Sequence, residues 1–399
     1  MKQNTTYKQT ELGLIPEDWE VKKFNKFSKF YSGGTPLTSK SEYYGGEIPF
    51  IKSGEIYYDR TEQFLTQEGL NNSSAKLVYR GDLLYALYGA NSGEVAISQL
   101  EGAINQAILC IQQNKDEAET IYLYNYLKLE KSNIINKFLQ GGQGNLSADI
   151  IKNLQIPLPP LPEQKKIADC LSTWDSAIEK QSQLINALTD RKKALMQQLL
   201  TGKKRLPGFS GEWKEVKLGE IIIDYKEKPN DNNNYEILTS SKNGLMKQTD
   251  YYGDNRITNR TDADYNVIPN GFITYRSRSD DGLFTFNLND LGVIGLISGY
   301  YPVFSFAKSN TQFLLSFLNY FKSKLIKYAI GTSQLVLSIN ALKEAKFKLP
   351  PIEEQTAIAE ILAAADRELQ LQKEKLAQLQ AQKKGLMQVL LTGKKRLIN

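Results

Sequence analysis

One segment of the chain occurs twice, and that duplication limits what the rest can fold into. It runs from Leu158-Pro159-Pro160-Leu161-Pro162-Glu163-Gln164 to Leu199-Leu200-Thr201-Gly202-Lys203-Lys204-Arg205-Leu206, and returns as Leu349-Pro350-Pro351-Ile352-Glu353-Glu354-Gln355 to Leu390-Leu391-Thr392-Gly393-Lys394-Lys395-Arg396-Leu397. The offset is 191 residues throughout, the separation of Gln164 from Gln355, so the copies align without a gap. From Leu195 to Leu206 only Gln198, opposite Val389, differs. The chain is therefore a duplicated unit, and any fold assigned to one copy applies to both.

Each copy reads as a long amphipathic helix. In the first, Ile167, Leu171, Trp174, Ile178, Gln181, Ile185, Leu188, Lys192, Leu195 and Leu199 fall at alternating steps of four and three. That spacing is the seam of a left-handed coiled coil. The second seam runs Ile358, Leu362, Ala365, Leu369, Gln372, Leu376, Leu379, Lys383, Leu386 and Leu390, with the same two positions polar. The proline-rich start permits a first turn and blocks extension backwards. Gly202 and Gly393 stop the helices, and the basic runs beyond them read as solvated ends that suit the negative helix C-terminus. At 1.5 Å per residue each helix spans roughly 55–60 Å.

Seams this narrow form no core alone, so the two helices are expected to pair as an antiparallel coiled coil. With full overlap, Gln181 meets Gln372 on a pseudo-two-fold axis, where a polar layer fixes register at some cost in stability. The alternative is two helices, each docked on its own globular domain.

The repeat extends upstream. Tyr122–Leu139 and Phe313–Ile330 read as equivalent helices with apolar faces Leu123, Tyr126, Leu127 and Leu314, Phe317, Leu318; Ser147 and Ser338 come next as N-caps. Earlier still both halves are β-rich, with Tyr, Phe, Ile and Val between Gly, Asn and Asp turns. Gly81 and Tyr85 of one half align with Gly271 and Tyr275 of the other, so a turn and strand recur, but the loops beyond them are unlike. One half continues Tyr88-Gly89-Ala90-Asn91-Ser92-Gly93, the other Arg276-Ser277-Arg278-Ser279-Asp280-Asp281-Gly282. The expected organisation is an α+β chain with an internal pseudo-two-fold repeat. Its parts are a β-rich recognition domain over residues 1–156, a central helix over 157–205, a second β-rich domain over 206–348 and a C-terminal helix over 349–399.

Composition narrows the chemistry. The chain has no histidine, which removes the usual general base, the Ser/His and Cys/His nucleophile pairs and the common zinc sites. Neither a nucleotide-binding glycine fingerprint nor a phosphate loop is present. Glu20-Val21-Lys22 resembles a nuclease carboxylate–lysine motif, but Glu215-Val216-Lys217 repeats it at the equivalent domain start, which marks it as structural. The two cysteines, Cys110 and Cys170, make no CxxC pair, no apolar stretch is long enough to cross a bilayer, and a reducing cytoplasm is the expected home. A net charge of +6 is compatible with a polyanion but does not require one, so the location of charge matters more than its sum.

The unlike loops are the candidate nucleic-acid contacts. Arg276 and Arg278 suit bidentate contacts to guanine, and Asn91 to adenine. Lys40, Lys52, Lys242, Arg256 and Arg260 suit phosphate neutralisation, and Tyr57 suits packing on sugars. Thr35, Ser53, Tyr88, Ser92, Ser241, Asn243, Tyr275, Ser277 and Ser279 complete the candidate set. The structural alternative is that these are ordinary polar loops, with tyrosines packed at a sheet edge.

Taken together, the paired Pro-Pro-Leu-Pro-Glu-Gln and Pro-Pro-Ile-Glu-Glu-Gln starts and the paired Leu-Leu-Thr-Gly-Lys-Lys-Arg-Leu ends resemble the DNA-specificity subunits of Type I restriction–modification systems. Ser32-Gly33-Gly34-Thr35-Pro36 with Tyr43-Tyr44-Gly45-Gly46-Glu47-Ile48-Pro49 resembles the opening of one common class of target-recognition domain, while Tyr235–Gly244 resembles another. The resemblance implies a non-catalytic subunit in which each globular domain reads one half of a bipartite double-stranded DNA target and the helices set the gap. It further implies docking by two methyltransferase subunits, together with restriction subunits. S-adenosylmethionine, ATP and Mg would then belong to partners, and no cofactor to this chain. The competing readings are a self-sufficient DNA-modifying enzyme and a coiled-coil scaffold that binds only proteins.

Overall fold

The structure, a computed structural model, describes residues 6–138, 145–230, 235–242, 244–252 and 265–398. The chain divides into two compact units, Met1–Gln183 with Lys373–Asn399, and Leu184–Gln372.

In the first unit, one sheet has the spatial order Ser28–Ser32, Ile108–Gln113, Leu83–Ala86, Val95–Ile97, all antiparallel. A second sheet has the order Phe64–Leu65, Tyr44–Ile51, Gly102–Ile104, Lys76–Val78, with Tyr44–Ile51 and Gly102–Ile104 parallel. The strand Leu-Leu-Tyr-Ala at Leu83–Ala86 is buried at every position, as a strand covered on both faces must be. The second unit repeats this plan. Ile222–Tyr225, Val303–Phe306, Ile273–Tyr275 and Phe286–Leu288 form the first sheet; Gly244–Lys247, Glu236–Ser241, Gly295–Ser298 and Tyr265–Ile268 form the other. The parallel pair recurs as Glu236–Ser241 with Gly295–Ser298.

Two differences stand out. The first unit carries an N-terminal hairpin, Tyr7–Thr10 with Gly13–Pro16. The second adds a short ladder in which Arg278 and Ser279 pair with Val336 and Leu335.

The expected helices form with one exception. Thr120–Phe138 is continuous, whereas its counterpart ends at Tyr320 and continues as a 3-10 helix over Lys322–Tyr328. Phe317, Tyr320 and Phe321 crowd the break and pack as an aromatic cluster with Phe347. Aromatic side chains lose rotamer freedom in a helix, so tertiary packing outweighs helical continuation here. Ser147 and Ser338 cap as expected, accepting from the amides of Ile150 at 3.3 Å and Ala341 at 3.1 Å.

The long helices are Leu161–Leu200 and Ile352–Leu390. Every seam residue is buried or half-buried, Gln181 and Gln372 included. In the first unit, Ile167 and Leu171 near the start of one helix share a core with Met387 and Leu390 near the end of the other. In the second, Leu199 and Leu200 share a core with Ile358 and Leu362. Within each unit the two helical segments therefore run antiparallel. The seam lysines each meet an aspartate of the facing helix, Lys383 with Asp175 at 2.5 Å in the first unit and Lys192 with Asp366 in the second. In repeat terms these are the same pair.

The motif at each helix start has a specific structural use. Gln164 donates to the carbonyls of Pro159 and Glu117, each at 2.9 Å, and accepts from the Glu119 amide at 2.9 Å. Gln355 donates to the Pro350 carbonyl and accepts from the Asn310 amide, each at 2.9 Å. These bonds staple the helix start to the adjacent loop.

The neighbouring glutamates correct one expectation. The basic runs are not simply solvated, because their arginines fold back onto buried carboxylates. Arg205 donates through Nε and Nη2 to Glu354, both at 2.6 Å, and Trp213 Nε1 donates to the same carboxylate at 3.3 Å. Arg396 likewise donates to Glu163 through Nε and Nη2, both at 2.7 Å, with Trp19 Nε1 at 3.2 Å. Asp18 takes the remaining fork of Arg396 at 2.8 and 2.9 Å. The carboxylate of Glu163 raises the Arg396 pKa against the opposing effect of burial, and the guanidinium in turn lowers that of Asp18. A planar fork on a desolvated carboxylate is the geometry for which arginine, not lysine, is suited.

Candidate nucleic-acid interface

In both units the unlike loops leave the same corner of the scaffold: one comes after the third strand of the first sheet, the other after the strand that pairs in parallel in the second sheet.

In the first unit these loops carry Tyr88–Gly93 and Lys52–Tyr58. Tyr88 enters the 3-10 turn Gly89–Asn91, and a Cβ placed on Gly54 would lie 3.4 Å from Asn91 Nδ2, so the two loops touch. The Tyr57 hydroxyl donates to Glu94, which also receives the Lys131 ammonium from helix Thr120–Phe138. Burial works to raise the Glu94 pKa, but Lys131 and Tyr57 outweigh it and hold the carboxyl below its usual range. Lys52 is exposed and Ser53 half-buried. Thr35 donates to Gln106 at 2.7 Å, and Thr35 and Lys52 line one shallow depression of about 430 Å³. Ser92 is committed to its own turn, donating to the carbonyls of Gly89 at 2.9 Å and Leu87 at 3.2 Å. Tyr88 packs half-buried against the core. Lys40 stands apart, paired with Glu42 at 3.4 Å and lying over the Tyr43 ring.

In the second unit a cleft of about 620 Å³ gathers Ser241, Lys242, Arg276, Arg278, Ser279 and Tyr300 among its walls. Burial alternates along Tyr275–Ser279, which links two short strands through a bend at Ser277: Arg276 and Arg278 are exposed, while Tyr275 and Ser277 are buried. Two candidates are thereby corrected. Tyr275 is fully buried and donates to the Leu337 carbonyl at 3.0 Å, and Ser277 is buried and donates to the Tyr300 carbonyl at 2.7 Å. Both are spent on the core because the alternation that exposes the arginines turns these residues inward. Ser241 is also buried, donating to the Gly244 carbonyl at 2.9 Å. Among the described residues, neither Arg276 nor Arg278 forms an ion pair, and the Arg278 guanidinium lies 4.6 Å from the centre of the Tyr300 ring. Tyr300 is 65% exposed. Stacking of this kind orients a guanidinium and leaves its edge free to donate. Ser279 donates to Asp281 at 2.7 Å, and Lys242 meets the same carboxylate at 2.5 Å. Asn243, Arg256 and Arg260 lie outside the described residues.

Sequence reasoning missed Tyr300, Glu94 and Asp281. Tyr300 comes from the turn between Gly295–Ser298 and Val303–Phe306, strands of different sheets, and carried no local signal. The acids carried none either, because a carboxylate is not what a polyanion-binding loop is expected to supply.

The Type I restriction modification DNA specificity domain family matches residues 16–190 and 210–381 of this chain. The specificity subunit of the type I restriction enzyme MjaVIII from Methanocaldococcus jannaschii is 27% identical over 415 residues, covering 96% of this chain and 95% of the relative. In fold, the chain is similar to the type I restriction–modification S subunit from M. genitalium, with a TM-score of 0.58 and 15% identity over 98% of this chain and 97% of that one. It is also similar to the HsdS subunit from Thermoanaerobacter tengcongensis, with a TM-score of 0.50 and 20% identity over 96% of this chain and 98% of that one.

Proposed function

The chain belongs to the Type I restriction–modification DNA specificity family, as a recognition subunit and not a catalytic one, and on that premise we propose that each of its units reads one half of a bipartite, asymmetric DNA target. Arg276 and Arg278 read bases in one half, with guanine the natural partner of a free arginine fork. Asn91 reads the other half, and Lys52 and Lys242 contact phosphates that set position without carrying sequence. The long helices fix the gap between half-sites and dock two methyltransferase subunits. Restriction subunits join the same cytoplasmic complex. Methylation of a base requires its extrusion into a catalytic pocket; S-adenosylmethionine, and the ATP and Mg used for restriction, are bound by those partners.

One observation carries this reading. Two units with the same strand order differ in chemistry at the same corner, where a turn bearing an asparagine in one is replaced in the other by a segment that exposes two arginines, Arg276 and Arg278, neither of which forms an ion pair among the described residues. A shared scaffold with unlike contact loops suits a target whose halves differ.

The test exchanges residues 206–348 for the matching domain of another family member and maps methylated sites in cells that supply the methyltransferase subunits. The expected result is a new sequence in one half-site, with the other half and the gap unchanged. A change in both halves, or in the gap, would reject the division of labour. Insertion of two helical turns, about seven residues, into one long helix should alter the tolerated gap and leave both half-sites intact.

A further inference from the structure

The loops that meet at each corner are tied together by an acid, and the two acids are not repeat-equivalents: Tyr85 pairs with Val95 and Tyr275 with Phe286, which places Thr285, not Asp281, opposite Glu94. In the first unit Glu94 lies just past the loop that carries Asn91 and binds Tyr57 of the opposite loop. In the second, Asp281 lies just beyond Arg278 and binds Lys242 of the opposite loop at 2.5 Å. Asp281 is shaped for this task, since its other oxygen accepts from Ser279 at 2.7 Å and from the Leu283 amide at 3.1 Å, which fixes the loop around it. Beneath it, buried Asn287 repeats the connection by donating to Ser240 at 2.7 Å and to the Ser241 carbonyl at 2.9 Å. Two different sequences have thus placed a carboxylate between the same two loops. A carboxylate facing DNA opposes binding through its charge, so its presence there calls for a compensating role.

We infer that Glu94 and Asp281 are positioning residues for base reading, each locking two loops from different sheets into one surface that meets a single half-site. The inference rests on the proposed reading of DNA by these loops. The acid lowers general affinity for DNA while holding the reading side chains in one geometry, so it exchanges affinity for discrimination. Lys242, held by Asp281, is confined to the one phosphate it reaches from that position.

The test uses the full chain with its methyltransferase subunits and a duplex library with a randomised centre, then sequencing of the bound fraction and titration against an unselected duplex. Asp281→Asn should reduce preference in one half of the selected motif about five- to tenfold, a fraction of what a lost bidentate contact costs. It should raise binding to the unselected duplex and leave the other half alone. Glu94→Gln should give the mirror result in the opposite half. Asp281→Glu should restore part of the loss, and Lys242→Ala combined with Asp281→Asn should be no worse than Asp281→Asn, because both remove one tie. Unchanged preference in both halves, or equal loss in both, overturns the inference. Arg276→Ala in the same selection separates the two ideas. If it relaxes one half while Asp281→Asn does not, the positioning role alone fails; if neither has an effect, the reading of that cleft fails with it.

Discussion

The strand that carries Tyr85 and the strand that carries Tyr275 occupy the same place in sheets of the same order, yet the chain leaves them differently. After Tyr85 it coils into a 3-10 turn and is anchored by Glu94 to a helix. After Tyr275 it bends at Ser277, pairs Arg278–Ser279 with Leu335–Val336 and holds two arginines outward. The tyrosines are both fully buried, whereas the side chains that differ in chemistry reach solvent, Arg276 and Arg278 exposed and Asn91 half-buried. The scaffold is thus set by what must be covered from water, while the chemistry is carried where nothing is covered.

Substitutions that respect or violate this division give the largest effects in the scaffold. Glu163→Ala and Glu354→Ala each remove a buried carboxylate that an arginine fork and a tryptophan N–H share, and each should cost about 3–5 kcal/mol in denaturant unfolding. A large cost in one unit and none in the other would break the equivalence of the two clamps. Arg396, which is 8% exposed and also holds Asp18, should be the more costly arginine to remove; Arg205 is 24% exposed and, among the described carboxylates, holds Glu354 alone.

Next come the loops. Arg276→Ala and Arg278→Ala should each relax discrimination in one half-site by about 1–3 kcal/mol and leave unfolding unchanged. Loss of preference in both half-sites would show that the loops are not independent. Tyr300→Leu, which removes the ring beneath Arg278, should produce a smaller loss in the same half-site only.

Finer still is the hydroxyl that separates the paired tyrosines. Tyr275 donates to a carbonyl, whereas the Tyr85 hydroxyl has no partner among the described residues. Tyr275→Phe should therefore destabilise by about 1 kcal/mol, and Tyr85→Phe should be neutral or stabilising. Equal costs in the two variants would contradict the difference seen at the two strands.

The smallest effect is expected at the seam lysines. Burial lowers the pKa of Lys383 more than Asp175 restores it. The folded value thus lies below the ordinary 10.5, the unfolded state binds the proton more tightly, and stability should rise with pH as it climbs toward 10.5. Lys383→Met should remove that part of the rise and be neutral or stabilising by up to about 1 kcal/mol near neutral pH. The pH profiles of wild type and variant should differ; identical profiles would mean that the lysine is well solvated.

Much of this was legible in the residues. The seams, the helix stops at Gly202 and Gly393 and the caps at Ser147 and Ser338 come from spacing and local backbone demands, and both glycines adopt positive φ, +69° and +71°. The break after Tyr320 was hidden because it depends on aromatic contacts made far along the chain. The burial of Ser277 and Tyr275 was available from the alternation of a strand, once the run is treated as one. Tyr300 was not available, since nothing near it in sequence marks a partner for Arg278.

The sequence alone determined that this chain is a duplicated unit with two long punctuated helices, because duplication, heptad spacing and helix stops are local patterns that survive unfolding of everything else. Only the tertiary structure decided that the arginines beyond each helix clamp buried carboxylates, and that in each unit an acid bridges two loops from different sheets. A carboxylate's role depends on which charge lies within a few ångströms of it, and in this fold those neighbours come from residues far apart in the chain.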